Sequence, residues 1–138
     1  AYIGAKPMIF SGTLKENLIY GSDEIIDEQL LNYHIEKFKV FNSDSGVNLD
    51  SNISNKTLSS GQMQKISFIR ALLIKPDILL LDESTANLDI ESKELIFNIL
   101  DELNLTIINS THNLSGFINF DEHIEIVNTQ EGRVLILN

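Results

Sequence analysis

The apolar run Ile78–Leu81, which ends in Asp82 and Glu83, constrains the fold more than any other stretch of the chain. A half-buried strand alternates apolar and polar residues, whereas an unbroken apolar run is typical of a parallel strand at the centre of a sheet. Acidic residues directly after such a strand lie at the carboxyl edge of the sheet, where α/β folds place their chemistry. The sequence therefore predicts a central parallel strand that carries two candidate active-site carboxylates.

A second constraining stretch, Leu58–Gln62, precedes the helical pattern of Met63–Leu73. Its two serines can cap a helix, and Gly61 leaves the backbone exposed at the helix start. The free N–H groups of an exposed helix N-terminus form an anion site. This stretch is therefore a candidate phosphate-binding segment.

Composition excludes several classes of function. The formal net charge of −10 argues against nonspecific nucleic-acid binding and against docking on anionic lipid, both of which need Lys and Arg. The absence of cysteine excludes disulfides and thiolate metal sites and fits a cytosolic setting. No apolar run approaches the roughly 20 residues of a membrane helix, so we expect any membrane domain to lie elsewhere.

The rest of the chain carries alternating helix and strand signals, which predict an α/β fold. These are a strand end at Tyr2–Gly4, a short helix with a Thr13 and Glu16 capping box, a second helix opening at Ser22, a helix at Glu91–Leu103, a buried strand at Leu105–Ile108, and an antiparallel hairpin of Ile124–Val127 with Val134–Leu137. Residues 42–56 are rich in Ser, Asn, Asp and Gly and are predicted to form a loop.

Five motifs in a fixed order resemble the ATP-binding cassette (ABC) transporter nucleotide-binding domain of the exporter type. They are the segment after the Q-loop at Pro7–Asn17, the LSGGQ signature at Leu58–Gln62, the Walker B strand with its catalytic glutamate at Leu79–Ser84, the D-loop at Ala86–Asp89 and the switch-histidine loop at Ser110–His112. The resemblance runs from about Tyr2 to the C-terminus. It implies a partial RecA-like parallel-sheet core, the ABC helical subdomain and a C-terminal β-hairpin.

The resemblance also implies a division of the chain into three parts. Residues 1–10 are the Q-loop region, and residues 11–75 form the helical subdomain with the signature motif. Residues 76–138 form the C-terminal half of the ATPase core.

Three residues are implied in hydrolysis of ATP. Asp82 is the candidate Mg²⁺ ligand, acting through water, and Glu83 is the candidate base for the attacking water. His112 is similar to the switch histidine that bridges the γ-phosphate and that water. The simpler interpretation of the two acids is a solvated strand end, and that of His112 is a structural loop histidine.

Five further residues are implied in nucleotide binding across an interface. Ser59, Ser60, Gly61 and Gln62 match the signature motif, which faces the ATP of a partner cassette. Asp89 of the D-loop shapes that interface beside the catalytic glutamate. The simpler interpretation makes Ser59 and Asp89 plain helix caps, and for Asp89 both roles are compatible.

The chain departs from the family pattern at several positions. Ser60 replaces a glycine of the signature, and Ala5 stands in place of the Q-loop glutamine. Asn55 stands where exporters usually have a glycine, and Ile53 where they usually have an acid that meets the transmembrane domain. None of the seven glycines lies in a G-x-x-x-x-G-K-[ST] pattern, so we expect the Walker A motif upstream of Ala1.

The expected function of the intact protein is binding and hydrolysis of ATP with Mg²⁺ to drive export. The expected partners are a second cassette, arranged head to tail, and a transmembrane domain, fused or separate, with no nucleic acid. That places the protein at the cytoplasmic face of a membrane. Two alternatives stay open: a soluble ABC-class ATPase of DNA repair or translation, and a degenerate cassette that only binds nucleotide or regulates a partner.

Overall fold

A computed structural model describes residues 1–113 and 119–138 of the chain. In chain order the elements are β1 (Tyr2–Gly4), β2 (Gly12–Thr13), α1 (Leu14–Ile19), α2 (Glu28–Lys37), β3 (Asn52–Ile53), α3 (Ser60–Leu73), β4 (Ile78–Asp82), α4 (Ile90–Asp101), β5 (Thr106–Ser110), β6 (Ile124–Thr129) and β7 (Gly132–Leu137). The predicted mixed α/β fold, with a parallel core and a C-terminal hairpin, is confirmed.

The apolar strand β4 lies at the centre of a three-stranded parallel sheet of order β1-β4-β5. Its register places Gly4 beside Asp82 and Asp82 beside Ser110. All three strands therefore end at one edge, and the residues that follow them are brought together there. The predicted central parallel strand is confirmed.

One face of this sheet is more exposed than the sequence predicted. Leu79 and Leu81 are buried, but Ile78 and Leu80 remain 48% and 42% exposed. Ile108 on β5 is also exposed, so the expectation of a buried second strand is wrong for this residue. The reason is that the core cluster contains the alternate residues of β4 with those of α3 and α4, whereas the opposite side chains do not belong to it.

A half-buried arginine on α3 holds the segments before it, and a buried asparagine ties parts of those segments together. Nε of Arg70 on α3 donates to the carbonyl oxygen of Asn17 at 2.8 Å, and its Nη1 donates to that of Met8 at 2.9 Å. Asn17 is fully buried and donates through Nδ2 to the carbonyl oxygen of Phe10 at 3.0 Å. These contacts satisfy backbone carbonyls that would otherwise be costly to bury.

The loop before α3 contains the short strand β3, which pairs antiparallel with β2. Ile53 on β3 is buried in the core cluster, whereas Asn55 is exposed. A buried isoleucine offers no surface to a partner. Ile53, which stands where exporters usually have an acid, thus packs in the core instead of facing a partner.

The second helix, α2, begins six residues later than the sequence predicted. Asp27 is its N-cap and accepts from the N–H of Gln29 at 3.0 Å. Ser22 instead accepts from the N–H of Glu24 at 3.3 Å, and Ile25 is fully exposed. Ser22 and Asp27 each accept from the N–H two residues later, so capping chemistry does not separate them. A helix that began at Ser22 would gain no burial from the fully exposed Ile25.

His34 on α2 is partly buried, and this burial lowers the pKa of its imidazole, with Lys37 acting in the same direction. The unfolded chain takes up this proton near pH 6.5, whereas the folded chain takes it up only at lower pH. Stability is therefore lost as the pH falls below about 6.5. We expect amide-exchange protection of α2 in the full-length protein, corrected for intrinsic rates, to fall between pH 7 and pH 5.5.

The His34→Gln variant has no imidazole at this position and should lose less of that protection. The matched control is His123→Gln, which should lose as much as the wild type. An equal loss in wild type and His34→Gln would contradict the assignment.

The C-terminal strands β6 and β7 form the predicted antiparallel hairpin, in which Ile124 pairs with Leu137 and Thr129 with Gly132. Gly132 has a φ of 132°, a conformation that favours glycine, and the hydroxyl of Thr129 donates to its carbonyl oxygen at 2.9 Å.

Among the described residues, no helix is long and apolar enough to cross a membrane.

Candidate functional site

Glu83 occupies a strained backbone position directly after β4. Its φ of 50° lies in the left-handed region, which a non-glycine residue adopts at a cost of about 1–3 kcal/mol. Its N–H donates to the carbonyl oxygen of Ser110 at 2.9 Å, so the end of β5 helps to hold this conformation. Lys39 and Lys75 share this conformation, each with a φ of 47°, so Glu83 is distinguished by its place at the carboxyl end of β4 rather than by its φ.

The carboxylate of Glu83 is held by the loop after β5. Its Oε1 accepts from the N–H of His112 at 2.6 Å, and its Oε2 accepts from the hydroxyl of Thr111 at 3.4 Å. The imidazole Nε2 of His112 lies 3.9 Å from the same Oε1, and that imidazole is fully exposed. The structure thus brings together Glu83 and His112, two of the three residues that the sequence singled out for hydrolysis.

Asp82 lies exposed at the carboxyl end of β4, and its Oδ2 accepts from the Tyr2 hydroxyl at 3.1 Å. This hydrogen bond, with smaller contributions from burial and from the Asp82 charge, raises the pKa of Tyr2. Among the described residues, no three His, Cys, Asp or Glu side chains gather as a metal site. Mg²⁺ takes one or two carboxylates plus water and phosphate oxygens, so the exposed carboxylate of Asp82 fits it, since within residues 1–113 and 119–138 only the Tyr2 hydroxyl bonds it, at Oδ2.

The signature stretch forms the first turn of α3. Ser59 is the N-cap, and its side chain accepts from the N–H of Gln62 at 3.2 Å. The Gln62 side chain accepts in return from the N–H of Ser59 at 2.9 Å, which completes a capping box. Ser59 and Ser60 are exposed, so both the cap and an outward-facing binding surface are compatible with the structure.

Gly61 is not required by packing within the chain. A Cβ atom placed on it would lie 3.9 Å from both the carbonyl oxygen of Asn87 and the Leu88 side chain, which is ordinary contact. Its φ is outside the region that favours glycine. The fold itself therefore tolerates a side chain here, and the bare backbone leaves room for something outside this chain.

Asp89 is the N-cap of α4. Its carboxylate accepts from the N–H of Ser92 at 2.7 Å and from the Ser92 hydroxyl at 3.3 Å. The backbone hydrogen bond is the largest cause of the lowered pKa of Asp89. The helix-cap interpretation is confirmed.

The segment around Ala5 is held by two amide side chains that sequence reasoning missed. Asn87 donates through Nδ2 to the carbonyl oxygen of Ala5 at 2.7 Å. The fully buried Gln64 donates through Nε2 to that of Gly4 at 3.1 Å. The D-loop and α3 are therefore both tied to the segment where the Q-loop glutamine was expected.

The candidate residues form two groups rather than one. Asp82, Glu83 and His112 lie at the edge of the sheet, whereas Ser59, Ser60 and Gln62 lie at the start of α3. In the part of the chain that the structure describes, no hydrogen bond joins a signature residue to a member of the first group. Tyr2 and Thr111 were also missed. The sequence places Tyr2 on the same strand face as Gly4, two residues later, but the register that puts Gly4 beside Asp82 comes from the structure.

Comparisons with known proteins agree with this geometry. Residues 1–86 match the family model described as ABC transporter. The ATP-dependent permease MDL1 of Candida albicans is 37% identical over 142 residues, which cover 97% of this chain and 20% of that protein. The glutathione/L-cysteine transport system ATP-binding/permease protein CydD of Haemophilus influenzae is 38% identical over 106 residues, which cover 74% of this chain and 18% of that protein.

The ABC multidrug transporter mdr2 of Aspergillus fumigatus is 37% identical over 118 residues, which cover 82% of this chain and 15% of that protein. The chain thus spans about a fifth or less of the length of these curated relatives.

Proposed function

The chain belongs to the ABC transporter family, and from this premise we propose that it is part of an ATPase domain that binds and hydrolyses ATP to drive export across a membrane. The observation that carries the proposal is the meeting of Glu83 with the switch loop at the carboxyl edge of the sheet, where His112 approaches it to 3.9 Å. Residues of matching chemistry follow two adjacent parallel strands, as expected of a ligand site in an α/β fold.

We propose separate roles for the three residues at this edge. Asp82 would hold Mg²⁺ through water, and Glu83 would accept a proton from the attacking water. The exposed His112 imidazole is free to contact the γ-phosphate. Mg²⁺, when bound with ATP, neutralises charge on the phosphates. Thr111 and the N–H of His112 fix the direction of the Glu83 carboxylate.

The signature residues are proposed to act on the ATP of a second cassette. Ser59 and the N–H of Gly61 contact its γ-phosphate, Ser60 and Gln62 complete that surface, and Asp89 lies at the interface beside it. The space at Gly61 supports this assignment, since nothing within the chain requires a glycine there. The N-terminal dipole of the 14-residue helix α3 favours an anion at this place.

The proposed assembly contains two cassettes arranged head to tail and a transmembrane domain, fused or separate, with ATP hydrolysis at the cytoplasmic face. Within the chain, we propose residues 1–10 as the Q-loop region, 11–75 as the helical subdomain and 76–138 as part of the ATPase core. The names of the relatives support the transmembrane part of this assembly, since two of the proteins are described as permeases.

The experiment that tests the proposal measures phosphate release from ATP by the purified full-length protein with and without Mg²⁺. We expect turnover that EDTA abolishes and that Asp82→Asn reduces by about tenfold or more, since even the partners that hold a metal's ligands have effects of that size. The matched control is Asp77→Asn, which removes an exposed carboxylate at the other end of β4. Nucleotide binding without metal-dependent turnover would favour the degenerate cassette, and equal activity of the two variants would contradict the role of Asp82.

A further inference from the structure

Tyr2 reaches Asp82 across the face of the sheet. The β1–β4 register pairs Gly4 with Asp82 and Tyr2 with Leu80. Because side chains alternate along a strand, Tyr2 and Gly4 face the same side of β1. Asp82 lies two residues beyond Leu80 on β4, and the Tyr2 hydroxyl spans this offset to donate to its Oδ2 at 3.1 Å.

Gly4 leaves the space that the tyrosine ring occupies. A Cβ atom on Gly4 would lie 2.8 Å from the Tyr2 hydroxyl oxygen, 3.2 Å from Cε1 and 3.3 Å from Cζ. The φ of Gly4 is not in the left-handed region, so its backbone does not demand glycine. The glycine leaves the space that this position of the ring needs, and a larger residue would displace the ring.

This hydrogen bond contributes little to holding the strands together. β1 and β4 are already joined by their backbone ladder, and Tyr2 is 63% exposed. Water competes with the partner of an exposed hydroxyl. The bond instead determines which carboxylate oxygen of Asp82 is available to another ligand.

We propose that Tyr2 is a positioning residue for the divalent cation, acting through Asp82, and that Gly4 is the residue that lets it reach. The hydroxyl occupies Oδ2, which fixes the carboxylate and leaves Oδ1 for the metal or its water. Partners of metal ligands act in this way by orienting the ligand and tuning its basicity. The inference rests on the proposed function, in which Asp82 holds the metal.

The test measures Mn²⁺ binding to the full-length, ADP-saturated protein by EPR spectroscopy, which reads the metal site without turnover. The Tyr2→Phe variant removes only the hydroxyl and should weaken Mn²⁺ binding by about tenfold. The matched control is Tyr33→Phe, at a similarly exposed tyrosine on α2, which should leave the affinity unchanged.

A second variant breaks the same bond in a different way. Gly4→Ala adds the Cβ atom that displaces the ring, so it should weaken Mn²⁺ binding about as much as Tyr2→Phe does. In the Tyr2→Phe background, the alanine has no hydrogen bond left to break. The two changes should therefore be clearly less than additive, whereas unrelated structural damage at the two positions would add.

The Asp82→Asn variant separates failure of this inference from failure of the proposed function. Suppose that Asp82→Asn loses Mn²⁺ affinity while Tyr2→Phe stays within about twofold of wild type, which is below the effect usual for partners of metal ligands. The positioning role of Tyr2 is then overturned, and Asp82 remains the metal ligand. If Asp82→Asn also binds Mn²⁺ as the wild type does, the assignment of Asp82 to the metal fails, and the inference about Tyr2 fails with it. A loss in both Tyr2→Phe and Gly4→Ala, without additivity, supports the role of Tyr2.

Discussion

The Glu83→Gln variant of the full-length protein is expected to lose ATP turnover by ~10²–10⁴-fold, the usual effect of removing a general base. Glutamine has nearly the same shape, and its amide oxygen can still accept from the N–H of His112, as Oε1 of Glu83 does. An amide, however, does not take a proton from water at neutral pH. The variant should therefore bind ATP normally and accumulate in the ATP-bound, closed dimer.

Phosphate release, ATP affinity and the dimer fraction in ATP together check this expectation. Glu94→Gln, an exposed glutamate on α4, is the matched control and should keep wild-type turnover. Retention of more than about a tenth of wild-type activity by Glu83→Gln would exclude it as the base, given the usual size of that loss. Loss of ATP binding instead would indicate a structural role for Glu83 in the strained turn after β4.

The central part of the fold is predictable from sequence because its signals are strong and local. The unbroken apolar run of β4 indicated a parallel strand between neighbours, and the structure places β1 and β5 on its two sides. The Thr13 and Glu16 capping box is present as predicted. In these cases local propensity and tertiary packing favour the same conformation.

The parts that the sequence did not predict depend on competition or on distant contacts. The start of α2 was misplaced because Ser22 and Asp27 are both good capping residues, and only Asp27 forms the cap. The exposure of one face of β4 depends on where the helices pack, which the apolar run does not reveal. A continuous apolar strand permits two covered faces without requiring them.

The candidate site shows the same division. That Glu83 and His112 act on the same water was implied by the family resemblance. The structure brings them together because two adjacent parallel strands end at one edge. The hydrogen bonds of Thr111 to Glu83 and of Asn87 to Ala5 depend on side-chain directions in two turns. Such directions are set by φ and ψ values like the positive φ of Glu83, and the residue types alone give no reason to expect these values.

The start of α3 gives a prediction for the second group of candidate residues. The Ser59→Arg substitution would place bulk and charge on the exposed first turn of α3, beside the bare backbone of Gly61. It would also remove the serine cap, which costs about 1 kcal/mol of helix stability. Ser59→Ala is therefore the matched control, because it loses the cap without adding bulk.

If signature residues act on the ATP of the partner cassette, the effect of Ser59→Arg depends on which chain carries a second lesion. With Ser59→Arg in one chain and Glu83→Gln in the other, both lesions fall in one composite site, and the second site stays intact. With both substitutions in the same chain, each site carries one lesion. We expect the first mixed dimer, isolated with two affinity tags, to keep much of its phosphate release and the second to lose nearly all. Ser59→Ala in place of Ser59→Arg loses the hydroxyl contact but adds no bulk or charge, so it should give a smaller difference in the same direction. Equal activity of the two arrangements would show that Ser59 does not act across the interface.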